Sequence, residues 1–409
     1  MAKLDINLIP VLLGGDLNSY NVARAFHEKY GVITHVFGRY SIGPTKYSKI
    51  VSFHTVPGLD KDDIMVSEMQ NFAEKNKGAA LLLLGCTDDY AAMIIRNKSR
   101  LENSYICPYI EEELMDTLVS KAVFYEMCDK YNIPYPKTKV LTSDFDANEL
   151  TEEELGFSYP IIVKPSSSIA YWKHPFDGMK KVYTAKSPDE AAEIIGEIYG
   201  AGYPDKMILQ DMIPGDDSNM YVLTAYSDRE HKVKMMCLGH VLLEEHTPRG
   251  LGNHAAIITE YMPELTERFR QMLDDLGYRG FSNFDIKYDP RDGSLRAFEI
   301  NLRQGRSNYY ITAAGINIAE MLVRDNFLCE DMEYTECRES YLWHTIPFGV
   351  VKKYVHDEPS LSKAKNLRRE GKAKTSLFYG YDIIRSPKRL VWVAEHMRRQ
   401  YGKYKKYCK

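Results

Sequence analysis

The chain opens with an apolar run, Ile6 to Leu13. Gly14-Gly15-Asp16 follows, and then a stretch from Asn18 to Tyr30 in which Val22, Ala23, Phe26 and Tyr30 recur at helical spacing. An apolar run, a glycine turn and a period near 3.6 predict strand, turn and helix. Val32 to Phe37 predicts a second strand. Ala79 to Leu84, apolar throughout, predicts a fully buried one, with Asp88 to Arg96 as the helix after it. Strands alternating with helices imply a parallel sheet. The Gly-Gly turn fits a phosphate-binding loop or a bare strand-to-helix connection equally well.

Glu111 to Tyr131 has the pattern of one helix, ended by Ile133-Pro134-Tyr135-Pro136, where proline disfavours helical backbone. A first domain boundary is therefore expected near residue 112. From 137 to about 330 the pattern changes to short β-rich segments: Ile161 to Val163, Met207 to Leu209, Tyr221 to Ala225, Lys234 to Leu243, Phe284 to Tyr288 and Arg296 to Leu302. Helical stretches at Pro188 to Tyr199, Pro263 to Leu276 and Ile318 to Phe327 lie between them. This predicts an α+β body with mostly antiparallel strands. Residues 331–409 form a C-terminal extension that ends in an amphipathic helix. Ser386 caps it and Pro387 starts it; Leu390, Val393, Ala394, Met397 and Tyr401 form the apolar stripe, and Lys388, Arg389, Arg398 and Arg399 occupy the other faces.

The 409 residues allow two to four domains, and 44% hydrophobic with 27% charged residues excludes a disordered or collagen-like chain. No run approaches the ~18–20 apolar residues of a membrane span. The net charge of −4 conceals a split. Residues 352–409 hold 17 Lys and Arg against 5 Asp and Glu, whereas the preceding 351 residues hold 36 against 52. An acidic body without a recognition motif argues against nucleic acid as a partner. Seven scattered cysteines with no C-x-x-C pair argue against a disulfide framework and a zinc site. The start MAKLDINLIP lacks the long apolar segment of a signal peptide, so the cytoplasm is the expected compartment.

The most informative stretch is residues 281–306. Read with period two, Asn283, Asp285 and Lys287 share one strand face, and Phe284, Ile286 and Tyr288 the other. In the next strand Ala297, Glu299, Asn301 and Arg303 share a face. A symmetric hairpin centred on Asp292 sets Asp285 opposite Glu299, where two carboxylates about 5 Å apart repel unless a cation lies between them. Oxygen ligands suit Mg²⁺. A half-exposed hairpin with a solvated polar face fits the spacing equally well.

These residues resemble the ATP-grasp superfamily, in which a strand acid and an E-x-N-x-R strand form the metal signature; here these are Asp285 and Glu299-Ile300-Asn301-Leu302-Arg303. Ser120-Lys121 before the helix, Tyr159-Pro160-Ile161-Ile162-Val163-Lys164-Pro165, and Leu209 to Asp217 match three further motifs in order. The resemblance covers about 113–330. It implies a Rossmann-like pre-ATP-grasp domain over 1–112 and an ATP-grasp domain over 113–330, with an N-lobe at about 113–205 and a C-lobe at about 206–330. It further implies ATP and Mg²⁺ as cofactors. Lys121 and Lys164 would meet the phosphates. The hinge Gln210, Asp211, Met212 and Ile213 would meet the adenine, with backbone groups near Met212 and Ile213, and Asp217 would meet the ribose. Asp285, Glu299 and Asn301 would ligate metal. Arg303 and Arg306 would steady the substrate carboxylate or the tetrahedral intermediate. One departure is the stretch Pro165 to Trp172, which has no glycine where relatives carry a glycine-rich phosphate loop.

The N-terminal phrase Leu8 to Asp16, with Asn21 to His27 and Tyr47 to Val51, resembles the branch of this superfamily that activates D-aspartate. That implies an ATP-dependent carboxylate–amine ligase that joins the β-carboxylate of D-aspartate to a lysine amine of a peptidoglycan precursor. Another amino acid and amine pair, or a nucleotide-binding protein without catalysis, are the alternatives. The segment from Glu245 to His254 suits a loop over the substrate, with Arg249 and His254 as candidate contacts to an anionic amino acid. The basic tail either packs on the body or touches anionic lipid at the inner membrane face.

Overall fold

Four parallel strands, β1 (Leu8–Leu13), β2 (Thr34–Gly38), β3 (Val51–Thr55) and β4 (Ala80–Gly85), form the first sheet in the order β3-β2-β1-β4. The computed structural model describes residues 4–171, 173–180, 182–248 and 250–408. β1 and β4 pair from Leu8↔Ala80 to Leu13↔Gly85, and helices cover the sheet. Both strands are almost wholly apolar, as parallel strands covered on two faces must be. The helix Leu17–Tyr30 starts where the Asp16 side chain accepts from Asn18 N, and ends at Gly31 with φ 71°.

The chain divides into two compact units that each use separate stretches of sequence. One comprises Met1–Met115, Asp216–Asp285 and Ile300–Lys409; the other comprises Asp116–Gly215 and Ile286–Glu299. The second unit holds an antiparallel sheet of β5 (Thr138–Leu141), β6 (Ile161–Pro165), β7 (Tyr183–Ala185) and β8 (Met207–Asp211), in the order β5-β8-β6-β7. Its core packs Ile161, Val163, Leu209, Ile195 and Ile198 together.

The large sheet runs β13-β12-β9-β10-β11-β15-β16, with β14 beside β10. Its strands are β9 (Met220–Ser227), β10 (Val233–Glu244), β11 (His254–Glu260), β12 (Gly280–Asp289), β13 (Ser294–Asn301), β14 (Thr335–Glu336), β15 (Leu342–His344) and β16 (Ala373–Thr375). β12 and β13 continue from one unit into the other.

Three expectations change. Glu111 to Tyr131 is two helices, Glu112–Val119 and Lys121–Lys130, because Ser120 takes an extended backbone (φ −72°, ψ 113°) and interrupts the helical turn. The break sets Lys121 at the first position of its helix. Residues 331–409 are not a separate extension. They add β15 and β16 to the large sheet, and Leu342, Phe348, Val351, Leu361 and Tyr404 share a core with Leu242 and Ala256. The final helix, Pro387–Tyr407, is capped by Ser386 as expected, but its buried stripe is Arg389, Val393, Met397, Gln400 and Tyr404. Leu390 and Tyr401 are exposed, and Arg389 lies inside rather than on a polar face.

Among the described residues no helix is long and apolar enough to cross a membrane.

Candidate active site

In the second unit, the Lys121 ammonium lies 2.7 Å from the Glu299 carboxylate. The helix break at Ser120 and the outward face of β13 bring these residues together. Lys164 on β6 donates to Gln210 Oε1 at 2.9 Å. Gln210, buried on the neighbouring β8, uses its amide nitrogen to donate to Tyr125 Oη (2.7 Å) and Thr138 Oγ1 (2.9 Å). A fully engaged amide fixes the side chain, and with it the lysine head group.

At the end of β8 the Asp211 side chain is engaged within the protein, which leaves the backbone groups of the hinge for the expected adenine contact. Arg291 forks onto Asp211 at 3.0 and 2.5 Å, and Arg291 and Arg296 both also reach the fully buried Asp289. This network closes the β12–β13 turn onto β8. It explains why Asp289 is buried while Tyr288 is exposed, against simple alternation. The hydrogen bonds from Arg291 hold the Asp289 carboxyl below its ordinary range. Met212 is half-buried and Ile213 buried. The Ile213 carbonyl already accepts from Lys287 Nζ at 2.9 Å, a residue that the motif reading did not single out.

In the first unit, Asn301 Nδ2 approaches Asp285 Oδ2 at 3.2 Å and Asn283 O at 3.3 Å. With Nδ2 so used, Oδ1 is the atom left to ligate. Asn283 itself is structural. It accepts from Thr224 Oγ1, and Gly305 must lack a side chain because a Cβ there would fall 2.6 Å from Asn283 Oδ1. Among the described residues no three His, Cys, Asp or Glu side chains converge into a metal nest. The expected set is instead two carboxylates and one amide, all hard oxygen donors, and it fits Mg²⁺ in chemistry.

Asp217 accepts from Glu244 N (2.8 Å) and His246 Nε2 (2.7 Å), so it ties down the start of the 245–253 loop. Arg303 pairs with Asp88 at 2.8 Å. Arg306 lies between Asp16 (3.4 Å) and Glu245 (3.2 Å). His254 is nearly buried, 3.8 Å from Glu244, and desolvation with Arg306 nearby lowers its pKa to about 4, which keeps the ring neutral. Arg249 lies outside the described residues, as does Trp172 of the Pro165–Trp172 stretch. Asp16, Asp88, Glu245 and Lys287 were not singled out as contacts in the sequence, although Asp16 closes the Gly-Gly turn, Glu245 opens the expected substrate loop and Lys287 shares a strand face with Asp285.

The fold is matched by the biotin carboxylase domain of Hydrogenobacter thermophilus 2-oxoglutarate carboxylase, solved with MgADP and bicarbonate (TM-score 0.59, 14% identity, 81% of this chain and 73% of that one). Bacillus licheniformis L-amino acid ligase matches at TM-score 0.54 and 13% identity, over 79% of this chain and 75% of that one. No family model matches the chain. The architecture, with its antiparallel lobe and its E-x-N-x-R strand, is the ATP-grasp fold.

Within that class, the sequence is 39% identical over 407 residues to D-aspartate ligase of Enterococcus faecium, covering 98% of this chain and 96% of that protein. The chain belongs to the D-aspartate ligase family. A more distant similarity, 26% over 204 residues, reaches the carbamoyl phosphate synthase large chain of Deinococcus radiodurans, covering 47% of this chain and 18% of that protein.

Proposed function

We propose that the protein uses ATP to activate the β-carboxylate of D-aspartate as an acyl phosphate and passes it to an amine, the lysine side chain of a peptidoglycan precursor. The observation that carries this reading is the 39% identity to D-aspartate ligase over 98% of this chain, supported by the motif residues Lys164, Asp285, Glu299, Asn301 and Arg303 in the sequence.

Lys121 and Lys164 supply point charges for the ATP phosphates, and Gln210 keeps Lys164 aimed. The hinge from Gln210 to Ile213 serves the adenine through backbone groups near Met212 and Ile213, and Asp217 serves the ribose. Asp285, Glu299 and Asn301 would hold Mg²⁺, which when bound neutralises charge on phosphate oxygens. Arg303 and Arg306 hold the substrate's anionic groups, with His254 close to Arg306 and Arg249 as a further candidate contact from the sequence. Positioning and electrostatic stabilisation carry the rate, with no side-chain nucleophile.

The test is Mg²⁺-dependent ADP release across D- and L-amino acids with several amines, the lysine-containing precursor included. D-aspartate should give the highest kcat/KM. Release driven by another acid, or none with any pair, refutes the assignment.

A peripheral contact with anionic lipid belongs to the same reading. Ile384 and Val391 are exposed next to Arg385 and Lys388, and the apolar side of the last helix is spent on the body. Equal pelleting with anionic vesicles of wild type and an Ile384→Ser, Val391→Ser double variant would refute it.

A further inference from the structure

Arg306 is a cation between two anions. Its guanidinium lies 3.4 Å from Asp16 and 3.2 Å from Glu245, and its side chain is mostly withdrawn from solvent. Each neighbour is held by the backbone. Asp16 uses Oδ1 to cap the helix Leu17–Tyr30 through Asn18 N, which leaves Oδ2 facing Arg306. The Glu245 backbone N–H donates to Asn253 O. A Cβ at position 250 would lie 2.5 Å from Glu245 Oε2, so Gly250 makes room for the carboxylate. Arg306 Nη1, though buried, makes no aligned hydrogen bond, and neither does Nε of Arg303 beside Asp88. Arg306 thus has charge partners without good donor geometry, whereas Arg303 still donates to Asp88 through Nη2 at 3.0 Å. A ligand carboxylate that offers better alignment gains a charge-assisted bond at little cost.

The group carries one positive and two negative charges. A dicarboxylic acid without an amine would meet net repulsion. An α-amino acid would not: its carboxylate matches Arg306 and its ammonium matches whichever carboxylate the arginine releases. The geometry points to Asp16, Arg306 and Glu245 as the subsite for the α-amino and α-carboxylate groups of the amino-acid substrate, with Arg306 taking the carboxylate and Asp16 and Glu245 the ammonium. This rests on the ligase reading and deepens it, because it assigns the specificity-determining contacts for the half of aspartate that does not react.

Two truncated substrates separate the contacts. Succinate is aspartate without the ammonium, and β-alanine is aspartate without the α-carboxylate; both keep the reacting carboxylate. Asp16→Asn and Glu245→Gln should each raise the KM for D-aspartate at least about tenfold, leave the KM for ATP within about twofold, and lower the preference for D-aspartate over succinate at least about tenfold. Arg306→Met should instead lower the preference for D-aspartate over β-alanine. Should loss of the helix cap unfold Asp16→Asn, Glu245→Gln and Arg306→Met decide the matter. Wild-type turnover with unchanged preferences in folded variants would overturn the subsite alone. Calorimetric binding of D-aspartate by wild type without ADP release, with that binding lost in Arg306→Met and Glu245→Gln, would overturn the ligase reading and keep the subsite. Neither binding nor turnover would overturn both.

Discussion

Glu299 separates a structural from a catalytic role in one substitution. Its carboxylate is 2.7 Å from the Lys121 ammonium, and the two side chains are 36% and 19% exposed. A pair this open to water contributes about 1 kcal/mol or less to stability. In a chain of this size that is a shift in Tm of about 2 °C. If Glu299 ligates a divalent cation that neutralises charge on the transferring phosphoryl group, Glu299→Gln removes at least about 3 kcal/mol from the transition state. At 1.36 kcal/mol per decade, that is a fall in kcat of roughly a hundredfold or more. The two effects are far enough apart to be read together. Coupled ADP-release assays across a Mg²⁺ titration should show a large fall in kcat, partly recovered at high Mg²⁺. Scanning fluorimetry should show almost no change. Turnover within about threefold of wild type at all Mg²⁺ concentrations would refute the metal assignment, and a drop in Tm near 10 °C would make the residue structural.

Three further outcomes follow from the same structure. Arg389 and Asp382 have fully buried side chains 3.4 Å apart, and Arg389 also donates to Pro44 O and Lys46 O. Arg389→Met should therefore cost about 3–5 kcal/mol in urea unfolding, and a loss under about 1 kcal/mol would contradict the buried pairing. Tyr404 in the last helix donates to Glu244 O at 2.6 Å, at the root of the 245–253 loop. Tyr404→Phe should raise the KM for the acid substrate a few-fold with the KM for ATP unchanged, and parallel changes in both would refute a loop-positioning role. The neutral His254 has a pKa of about 4 against an ordinary 6.5. Between those values the unfolded chain binds the extra proton, so this contribution to stability is complete above pH 6.5 and is lost as pH falls towards 4, by up to about 3 kcal/mol. His254→Gln should flatten that part of the stability–pH profile, and an unchanged slope would refute the assignment.

What the sequence disclosed and what it withheld divide by range. β4 and the helix Asp88–Arg96 were legible because a parallel core strand is apolar throughout and a capped helix repeats at 3.6 residues. The strands around Lys164, Asp285 and Glu299 were legible because each motif residue sits at a fixed local spacing. The site partners were not. Asp88 meets Arg303 across 215 positions of sequence and Asp16 meets Arg306 across 290, and no local period reports such a pairing. The partner of the Asp211 side chain was hidden for the same reason, since Arg291 lies 80 residues further along.

The basic tail packs on the body, one of the two readings its charge allowed, and its most consequential arginine carries no exposed charge. Arg389 lies against the Tyr20 ring (4.3 Å to the centroid) and beside Asp382, which also accepts from Tyr20 Oη and Lys49 N. The helix from 387 thus holds the 43–49 loop, and Thr45 of that loop donates to Gly15 O in the turn that carries Asp16. Tyr404, four turns on, holds Glu244, the residue before Glu245. One helix with its buried stripe therefore braces both segments that flank Arg306. A chain cut before Ser386 should then lose discrimination between D-aspartate and succinate together with its stability, whereas removal of the last residues after Tyr404 should lose neither.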